Sequence, residues 1–347
     1  MKYLRVGIAG YGIVGKRRHK SLSKIKSVKI VCICDKKFKK NNFNNNNITY
    51  FNNYKDLINN NIDAIIISLT NDLASEVTCA ALKKNIHVFC EKPPGRNMNE
   101  ITKVIQQFEK NKKLKLMYGF NHRYHYSIDY VKKIIDSKKF GKVINLRGVY
   151  GKSKMITFNQ DDWRTKRIIS GGGVLLDQGI HLIDLLRYFV GNFIDVKAFI
   201  SNNYWKFDVE DNVFAIMKTK DNIFATIHSS ATQWKHLFNL EINLDKALII
   251  LSGIKTSSKS YGNETLKIIK KNNIGHKNNE LLKKFNKDDS MDNEIKNFIT
   301  SIKSNKKINS GNCYEAYETM KLVFEIYYSD LRWRKKYKIP KPKKFNG

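Results

Sequence analysis

An aspartate and a histidine four residues apart could carry acid–base chemistry in this 347-residue chain. Asp177 and His181 fall in a segment with helical periodicity, where a spacing of four residues places two side chains on one face. A neighbouring carboxylate favours the imidazolium and a neighbouring ammonium opposes it, so both together can hold the imidazole near neutrality as a general base. The pair is equally typical of an ion pair on a helix surface or of a hydrogen-bonded core histidine.

A lysine beside a proline pair is the second candidate. Lys92 follows the apolar segment HVFCE and precedes Pro93 and Pro94, which restrict the backbone of the turn. At the carboxyl end of a parallel strand, an ammonium can donate to a substrate hydroxyl and stabilise the alkoxide that forms there. The alternative is a solvated lysine beside a turn.

Three glycines follow the first predicted strand and open the first predicted helix. Gly10 permits a tight turn, Gly12 permits close approach of a pyrophosphate, and Gly15 permits close packing of the helix against the strand. The N-terminus of this helix, which begins with Ile13 and Val14, attracts phosphate charge. The pattern predicts a dinucleotide-binding loop, and a plain strand-to-helix turn is its alternative.

A carboxylate at the end of the second predicted strand bears on the choice of cofactor. Asp35 lies 20 residues after Gly15, where a carboxylate accepts hydrogen bonds from the hydroxyl groups of the adenosine ribose. Its charge repels a 2′-phosphate, although Lys36 and Lys37 could neutralise one. We therefore predict NAD as the cofactor, with NADP possible.

Strands and helices must position these residues, and the two kinds of element alternate in the first third of the chain. Short apolar segments rich in β-branched residues predict buried strands at residues 4–9, 28–34, 62–68, 86–90 and 114–118. Helical periodicity lies between them, at residues 13–24, 74–84 and 99–111. Strands that alternate with helices predict a parallel sheet, and hence a doubly wound α/β domain of the Rossmann kind.

The pattern changes after residue 120. Further helices are predicted at residues 127–137, 174–189, 292–303 and 314–332. Strand-like segments joined by short links are predicted at residues 143–150, 196–203, 211–219, 223–230, 237–244 and 247–251. Short links favour antiparallel pairing, so the second domain is predicted to be α+β. The segment 263–287, rich in Lys and Asn, predicts an irregular strand and a mobile loop, and residues 338–347 a basic tail.

Composition bears on partners and compartment. The chain has 64 Lys and Arg against 31 Asp and Glu, a formal charge of +33, but the lysines are scattered and no nucleic-acid-binding motif accompanies them. We predict no specific nucleic-acid partner, and a field that attracts anionic substrates. With no apolar segment near the roughly 20 residues that cross a bilayer and no signal-peptide pattern, we predict a cytoplasmic protein without a membrane partner. The five cysteines lack paired zinc or redox spacing, which predicts reduced core thiols and no metal site.

Several motifs, taken in order, carry a resemblance to a known family. They are GIAGYGIVGKRRH, HVFCEKPPG, GFNHRY, DWR and GGGVLLDQGIHLIDLL. From residue 2 to residue 336, the chain resembles the Gfo/Idh/MocA oxidoreductases, which include glucose-fructose oxidoreductase and inositol dehydrogenase. The resemblance implies a Rossmann domain at residues 1–120, an α+β domain with a large, mostly antiparallel open sheet at 121–311, and a last helix at 312–333 that packs back on the Rossmann domain. It also implies a homo-oligomer, either a dimer or a tetramer.

The resemblance assigns roles to individual residues. It places Lys92, Asp177 and His181 in the catalytic group. Cofactor contacts beyond the glycine loop and Asp35 fall on Lys36, Asn71, Glu91, Trp163 and Arg164, and substrate contacts fall on Asn121, Arg123, Tyr150, Arg164, Asp177 and His181. One departure follows the strand at residues 62–68, where relatives read T-P-N-x-x-H and this chain reads TNDLA, which keeps the asparagine but lacks the proline and the histidine.

We therefore expect an NAD-dependent dehydrogenase that moves hydride between the nicotinamide and a secondary alcohol carbon of a small-molecule sugar. Residues 210–242 and the segment SYGNETL resemble a branch associated with surface-polysaccharide and nucleotide-sugar gene clusters, so the expected substrate is a nucleotide-linked sugar. A free-sugar or inositol dehydrogenase is the first alternative. A non-catalytic, NAD-binding regulatory protein is the second, and the intact catalytic group argues against it.

Overall fold

Two compact units make up the chain. The computed structural model describes residues 3–153, 162–256, 260–271 and 279–343. Contacts between residues define a first unit, Met1–Asn121 with Met291–Tyr317, and a second unit, His122–Ser290 with Glu318–Gly347. The first boundary falls beside the predicted one at residue 120. The return to the first unit begins at Met291, earlier than the predicted end of the second domain at residue 311.

The first unit is built on a seven-stranded sheet. Its strands are β1 (Leu4–Ala9), β2 (Val28–Cys34), β3 (Phe43–Asn45), β4 (Ile48–Phe51), β5 (Ala64–Ile67), β6 (His87–Glu91) and β7 (Leu116–Gly119). They lie in the order β3-β4-β2-β1-β5-β6-β7, and every neighbouring pair except β3 and β4 is parallel. The predicted doubly wound fold is therefore confirmed.

Helices accompany both sheets of the molecule. The described α-helices are α1 (Ile13–Ser23), α2 (Tyr54–Ile58), α3 (Asn71–Lys83), α4 (Met98–Glu109), α5 (Tyr126–Asp136), α6 (Arg167–Ser170), α7 (Ile180–Val190), α8 (Ser290–Lys303), α9 (Cys313–Ser329) and α10 (Leu331–Lys336). Tighter 3-10 turns occur at Asn121–Tyr124 and Asp162–Thr165. Across the described ranges, none of the helices has both the length and the apolar content needed to cross a membrane.

A buried arginine explains why α8 belongs to the first unit. Arg18 on α1 is almost fully buried, and its Nε donates to Glu91 Oε1 at 2.6 Å while a terminal nitrogen donates to Glu294 Oε2 on α8, also at 2.6 Å. Beside it, Ser21 Oγ donates to Asp292 Oδ1 at 2.6 Å. Since a buried guanidinium requires paired carboxylates, α8 completes the packing of α1.

The hairpin β3–β4 was not predicted from sequence. Its two-residue loop is Asn46 and Asn47, whose φ angles of 49° and 60° are both positive. Asparagine tolerates this conformation, which matches the twist of a two-stranded turn. The run of asparagines that resembles a loop thus forms a tight turn at the edge of the sheet.

The second unit is built on an eight-stranded sheet. Its strands are β8 (Val143–Gly151), β9 (Phe193–Ser201), β10 (Asn212–Thr219), β11 (Phe224–Ser230), β12 (Leu237–Leu244), β13 (Ala247–Ser252), β14 (Glu264–Lys270) and β15 (Glu280–Phe285). The order is β15-β14-β13-β12-β8-β11-β10-β9, with β8 parallel to β11 and every other pair antiparallel. The predicted α+β architecture with a mostly antiparallel sheet is confirmed.

Two strands replace the irregular strand predicted at residues 263–287. Within β14, Leu266 and Ile268 are buried and alternate with less buried residues, as in a strand with one covered face. The abundance of Lys and Asn hides this alternation in the sequence. The predicted mobile loop falls in part on residues 272–278, which lie outside the described residues, as do residues 344–347 of the predicted basic tail.

Two predicted helices are divided in the structure. The segment at residues 174–189 begins with a π-helical turn, Leu175–Gly179, before it continues as α7. The last predicted helix, 314–332, ends at Ser329, and Asp330 starts α10 by accepting a hydrogen bond from the Trp333 backbone N–H at 2.8 Å. The boundary between the two units falls within α9, after Tyr317.

Candidate active site

The glycine loop between β1 and α1 has the geometry of a phosphate cradle. Gly10 has a φ of +90°, which side chains rarely adopt, and a Cβ on Gly15 would lie 1.9 Å from the Gly10 carbonyl oxygen. A Cβ on Gly12 would meet nothing within 4 Å. Open space therefore lies over the N-terminus of α1, where Ile13 and Val14 begin the helix and its first turn carries no acidic residue. The loop fits a dinucleotide pyrophosphate.

Asp35 is tied to this loop. Its Oδ2 accepts a hydrogen bond from the Tyr11 backbone N–H at 2.7 Å, and its Oδ1 accepts one from the Lys37 backbone N–H at 2.9 Å. The carboxylate therefore lies at the carboxyl ends of β1 and β2, with Lys36 next to it in the chain. This is the position in which a carboxylate can also accept bonds from ribose hydroxyls.

The remaining predicted residues of the first unit lie at the same edge of the sheet. Asn71 starts α3 after β5, Glu91 ends β6, and Lys92 follows it. Because the carboxyl ends of parallel strands share one edge, these residues lie on the ligand side of the sheet. The Glu91 carboxylate is engaged by Arg18, so its predicted cofactor contact is secondary to a structural ion pair.

In the second unit, two cations hold the Asp177 carboxylate. Lys152 Nζ lies 3.1 Å from Oδ2, and Arg164 Nε lies 3.3 Å from Oδ1. Lys152 follows β8 and its side chain is only 2% exposed, whereas that of Arg164, in the 3-10 turn before α6, is 18% exposed. The Arg164 guanidinium also lies over the Trp163 ring, 4.2 Å from its centroid. Asp177 is thus oriented from both of its oxygens.

His181 lies in a buried aromatic cluster. Its ring stacks on that of His122 with centroids 3.9 Å apart and planes within 9°, and His122 Nε2 lies 3.0 Å from the Tyr150 hydroxyl. The Tyr150 ring contacts that of Tyr261 at 5.2 Å. Burial, together with the nearby Asp177 charge, raises the pKa of both phenols, so both stay protonated and can donate hydrogen bonds.

The buried carboxylate of Glu210 supports the helical segment that carries Asp177 and His181. Glu210 accepts hydrogen bonds from the backbone N–H groups of Gly173 at 2.8 Å and Leu175 at 3.1 Å, and from the Tyr327 hydroxyl at 2.6 Å. These bonds satisfy donors that a helix N-terminus leaves unpaired. Asp177 then lies in the π-helical turn, so the helix predicted over residues 174–189 is present, but its first turn is wider than that of an α-helix. Such turns often occur at functional sites.

Arg123, one of the predicted substrate contacts, lies in a buried ion pair. The Arg123 guanidinium is buried and donates through two nitrogens to the two oxygens of Asp184, both at 2.7 Å. It also lies over the Tyr188 ring. This bidentate pair gives Arg123 a structural role in anchoring α7. Asn121 begins the same 3-10 turn, and Tyr150, Arg164, Asp177 and His181 lie in or beside the cluster described above.

Sequence analysis missed three members of this cluster. His122 lies between the two predicted residues of the GFNHRY motif, and Lys152 lies two residues after Tyr150, on the same face of an extended strand. Both residues could therefore have been predicted from their positions in the sequence. Tyr261, whose hydroxyl donates to Gln178 Oε1 at 3.1 Å, reaches the cluster from a distant segment without any local signal.

Family profiles match both units. One described as an oxidoreductase family with an NAD-binding Rossmann fold matches residues 4–120, and one described as the GFO/IDH/MocA C-terminal domain matches residues 128–250. The chain belongs to the Gfo/Idh/MocA family of oxidoreductases. The predicted family and its NAD-binding Rossmann fold are therefore confirmed.

Curated relatives within the family are sugar and polyol dehydrogenases. Levoglucosan dehydrogenase of Pseudarthrobacter phenanthrenivorans is 33% identical over 141 residues, 40% of this chain and 36% of that protein. Inositol 2-dehydrogenase of Salmonella typhimurium is 28% identical over 203 residues, 56% of this chain and 57% of that protein. The aligned part of the chain spans less than two thirds of the length of either relative.

Solved structures extend the likeness over nearly the whole chain. A levoglucosan dehydrogenase in complex with NADH has a TM-score of 0.83 at 18% identity, over 96% of this chain and 98% of that one. Myo-inositol 2-dehydrogenase from Lactobacillus plantarum has a TM-score of 0.75 at 23% identity, over 94% and 97%. At these identities, the likeness establishes the fold of the Gfo/Idh/MocA chain.

Proposed function

We propose that the chain is an NAD-dependent dehydrogenase that transfers hydride between the nicotinamide and a secondary alcohol carbon of a sugar or polyol. The observation that carries the proposal is the cluster in which Asp177 is held by two cations and His181 stacks on a second imidazole. An imidazole four residues after an oriented carboxylate in one helical segment is suited to proton transfer from a hydroxyl group. The NAD-binding fold of the first unit supplies the matching half of the chemistry.

Three side chains carry the proposed reaction. His181 takes the proton of the substrate hydroxyl, and Asp177 orients His181 and favours its charged form. Lys92 donates to the same substrate oxygen and stabilises the negative charge that develops on it. When bound, NAD supplies the hydride acceptor. The glycine loop and Asp35 hold the pyrophosphate and ribose.

For the substrate, we propose a nucleotide-linked or otherwise anionic sugar of surface-polysaccharide synthesis. Support comes from the branch resemblance of residues 210–242 and from the positive charge of the chain. Lys152 and Arg164 add two cations around one carboxylate in the candidate site. The relatives named for levoglucosan and inositol favour a second candidate, a free sugar or polyol.

The proposed activity is tested by nicotinamide absorbance. Purified protein is given NAD or NADP with UDP-hexosamines, UDP-hexuronates, free hexoses and inositols. We expect reduction of NAD with one of these classes, which identifies the substrate class and the cofactor together. If NADH quenched the fluorescence of the protein but no sugar was turned over, the result would contradict the proposal and favour the non-catalytic, NAD-binding alternative.

We also propose that the chain forms a homo-oligomer. Phe199 on β9 and Phe214 on β10 are direct cross-strand partners and are 83% and 53% exposed, and Ile216 is 57% exposed. An apolar surface of this kind is typical of an interaction site. Light scattering tests the proposal, since a monomeric mass at micromolar concentration would contradict it.

A cytoplasmic location is proposed as well. The five cysteines are unpaired, and four of them are buried. Burial raises the pKa of Cys32, Cys34, Cys90 and Cys313 to about 12, which keeps these thiols unreactive. Free thiols persist in the reducing cytosol. Cell fractionation with an antibody against the chain tests this location.

A further inference from the structure

Lys152 has more hydrogen-bond donors than acceptors around it. Its ammonium carries three N–H groups, and among the residues that the structure describes, Asp177 Oδ2 is its hydrogen-bond acceptor, at 3.1 Å. Its side chain is 2% exposed, so bulk water has little access to the remaining donors. A buried ammonium with unsatisfied donors is costly, which makes an oxygen-bearing ligand a favourable partner.

The backbone fixes Lys152 in this position. Its N–H donates to the Ser230 carbonyl at 2.8 Å, and its carbonyl accepts from the Gln233 N–H at 3.0 Å. It follows β8 directly, the strand that pairs with both β11 and β12. Because the backbone of Lys152 is fixed by these hydrogen bonds, its side chain can donate to a ligand atom with a smaller loss of entropy.

The neighbours of Lys152 suit a polyhydroxylated ligand. The Asp177 carboxylate accepts hydrogen bonds, and the Tyr150 hydroxyl, which stays protonated, can donate or accept one. Asp177 precedes His181 by four residues in the same helical segment. Neighbouring hydroxyl groups on a sugar ring lie within hydrogen-bond distance of each other. A ring with one hydroxyl at His181 can therefore present the next one to Asp177 and Lys152.

We propose that Lys152 is a specificity-determining residue that donates a hydrogen bond to the sugar hydroxyl on the carbon next to the oxidised one, while the Asp177 carboxylate accepts a hydrogen bond from that hydroxyl. This assignment rests on the proposed dehydrogenase function. It gives the site a preference for vicinal diols, since a ring without the second hydroxyl leaves the ammonium buried and unsatisfied. Such a loss is larger than that of a simple apolar contact.

The test combines Lys152→Met with monodeoxy analogues of the sugar that the absorbance assay identifies. For the intact sugar, we expect the variant to raise KM by about tenfold to 100-fold, the loss typical of a hydrogen bond to a charged group. For the analogue without the neighbouring hydroxyl, wild type and variant should have similar KM values, because the contact is already absent. Equal loss with every analogue would overturn the proposal and assign Lys152 to the support of Asp177.

Two further variants separate this effect from misfolding. Lys133→Met removes an exposed ammonium from α5, where it pairs with Asp129, and should leave KM unchanged. Lys152→Arg keeps a cation beside Asp177 but alters the donor geometry, so we expect a folded enzyme with a raised KM. A wild-type KM in Lys152→Arg, together with an unfolded Lys152→Met, would also overturn the proposal.

A binding measurement keeps the two proposals distinguishable. In the presence of NADH, the Tm of wild type and of Lys152→Met is compared with and without myo-inositol, levoglucosan or UDP-N-acetylglucosamine, each in excess. A sugar-dependent Tm rise that Lys152→Met abolishes, without turnover, would support the Lys152 assignment and reject the dehydrogenase. Turnover that is insensitive to Lys152→Met would reject the Lys152 assignment alone, and no Tm rise with any sugar, in a protein without turnover, would reject both.

Discussion

The glycine loop of the first unit and the Asp177 cluster of the second are built in opposite ways. The loop uses backbone groups from residues 10–15, a single continuous segment, and it depends on the absence of side chains. The cluster uses side chains from five separate places, namely His122, the end of β8, the turn at Arg164, the segment 177–181 and Tyr261. A site made of backbone can be recognised locally, whereas a site made of side chains depends on long-range pairing.

The two regions also differ in what disturbs them. A methyl group added at Gly10 or Gly15 disrupts the loop, because backbone atoms already occupy the space. Removal of a charged or hydrogen-bonded group disrupts the cluster, because its partners then remain buried and unsatisfied. The comparison therefore predicts opposite responses to substitutions that add atoms and to those that remove them.

The largest expected effect tests whether side-chain chemistry is confined to the second unit. His181→Ala and Lys92→Met should each lower kcat by about 100-fold or more, the contribution typical of a positioned acid or base. Single-turnover absorbance at saturating NAD measures the chemical step. NADH should still quench the protein fluorescence of both variants, with wild-type affinity. If Lys92→Met kept the wild-type rate, all of the chemistry would belong to the second unit and Lys92 would be a surface residue.

Two glycines of the loop sharpen the comparison within the first unit. Gly15→Ala places its methyl group against the Gly10 carbonyl and should destabilise the fold by about 3 kcal/mol or more. Gly12→Ala places its methyl group in open space, so we expect unchanged stability and a roughly tenfold weaker affinity for NADH. Urea unfolding and NADH titration measure the two quantities. If both variants had the same stability, the loop would be able to move and accommodate the methyl group at residue 15, contrary to the prediction.

A carboxylate substitution tests the support of the cluster. Glu210→Gln turns one acceptor into a donor opposite the backbone N–H groups and the Tyr327 hydroxyl, which should cost about 1–3 kcal/mol of unfolding free energy. The matched variant Glu241→Gln loses a cross-strand ion pair to the exposed Arg147 and should cost less than about 1 kcal/mol. Denaturant midpoints give both values, and similar losses would mean that Glu210 does not support the π-helical segment.

The smallest expected effect concerns cofactor choice. Asp35→Ala removes the carboxylate that the Tyr11 and Lys37 backbone N–H groups hold, so NADH affinity should fall several-fold while NADPH affinity falls less or rises. Fluorescence quenching titrations with both cofactors provide the ratio. An equal fall for both cofactors would indicate that Asp35 supports the loop without reading the ribose.

Much of the fold follows from local sequence. The strand predicted at residues 28–34 has the bounds of β2, and the predicted helix at 13–24 differs from α1 by one residue. The last three residues of β2, at 32–34, are buried, and an apolar run of this kind is a local signal. Strands β3 and β15 were missed because both lie at sheet edges, where one side faces water and polar residues are common.

The candidate site was only partly predictable. Asp177 and His181 were found by their spacing, but the spacing did not reveal the π-helical turn, which depends on Glu210 more than 30 residues later. Arg123 is a basic residue within the GFNHRY motif, and it pairs with Asp184 inside the second unit. Lys152 reaches Asp177 because β8 pairs with strands about 80 residues further along the chain.

The position of α8 in the first unit sets the order in which the protein can be completed during synthesis. Residues 1–121 are made before the rest of the first unit, but Arg18 lacks Glu294, and the Tyr118 N–H lacks the Gly311 carbonyl that it bonds at 2.7 Å, until residues 291–317 have been made. A nascent chain that stops before residue 290 therefore lacks both the helix that packs on Arg18 and one of its two carboxylate partners. The first unit is therefore completed only after residues 122–290 of the second unit have been made, so NAD binding requires synthesis well beyond the Rossmann strands.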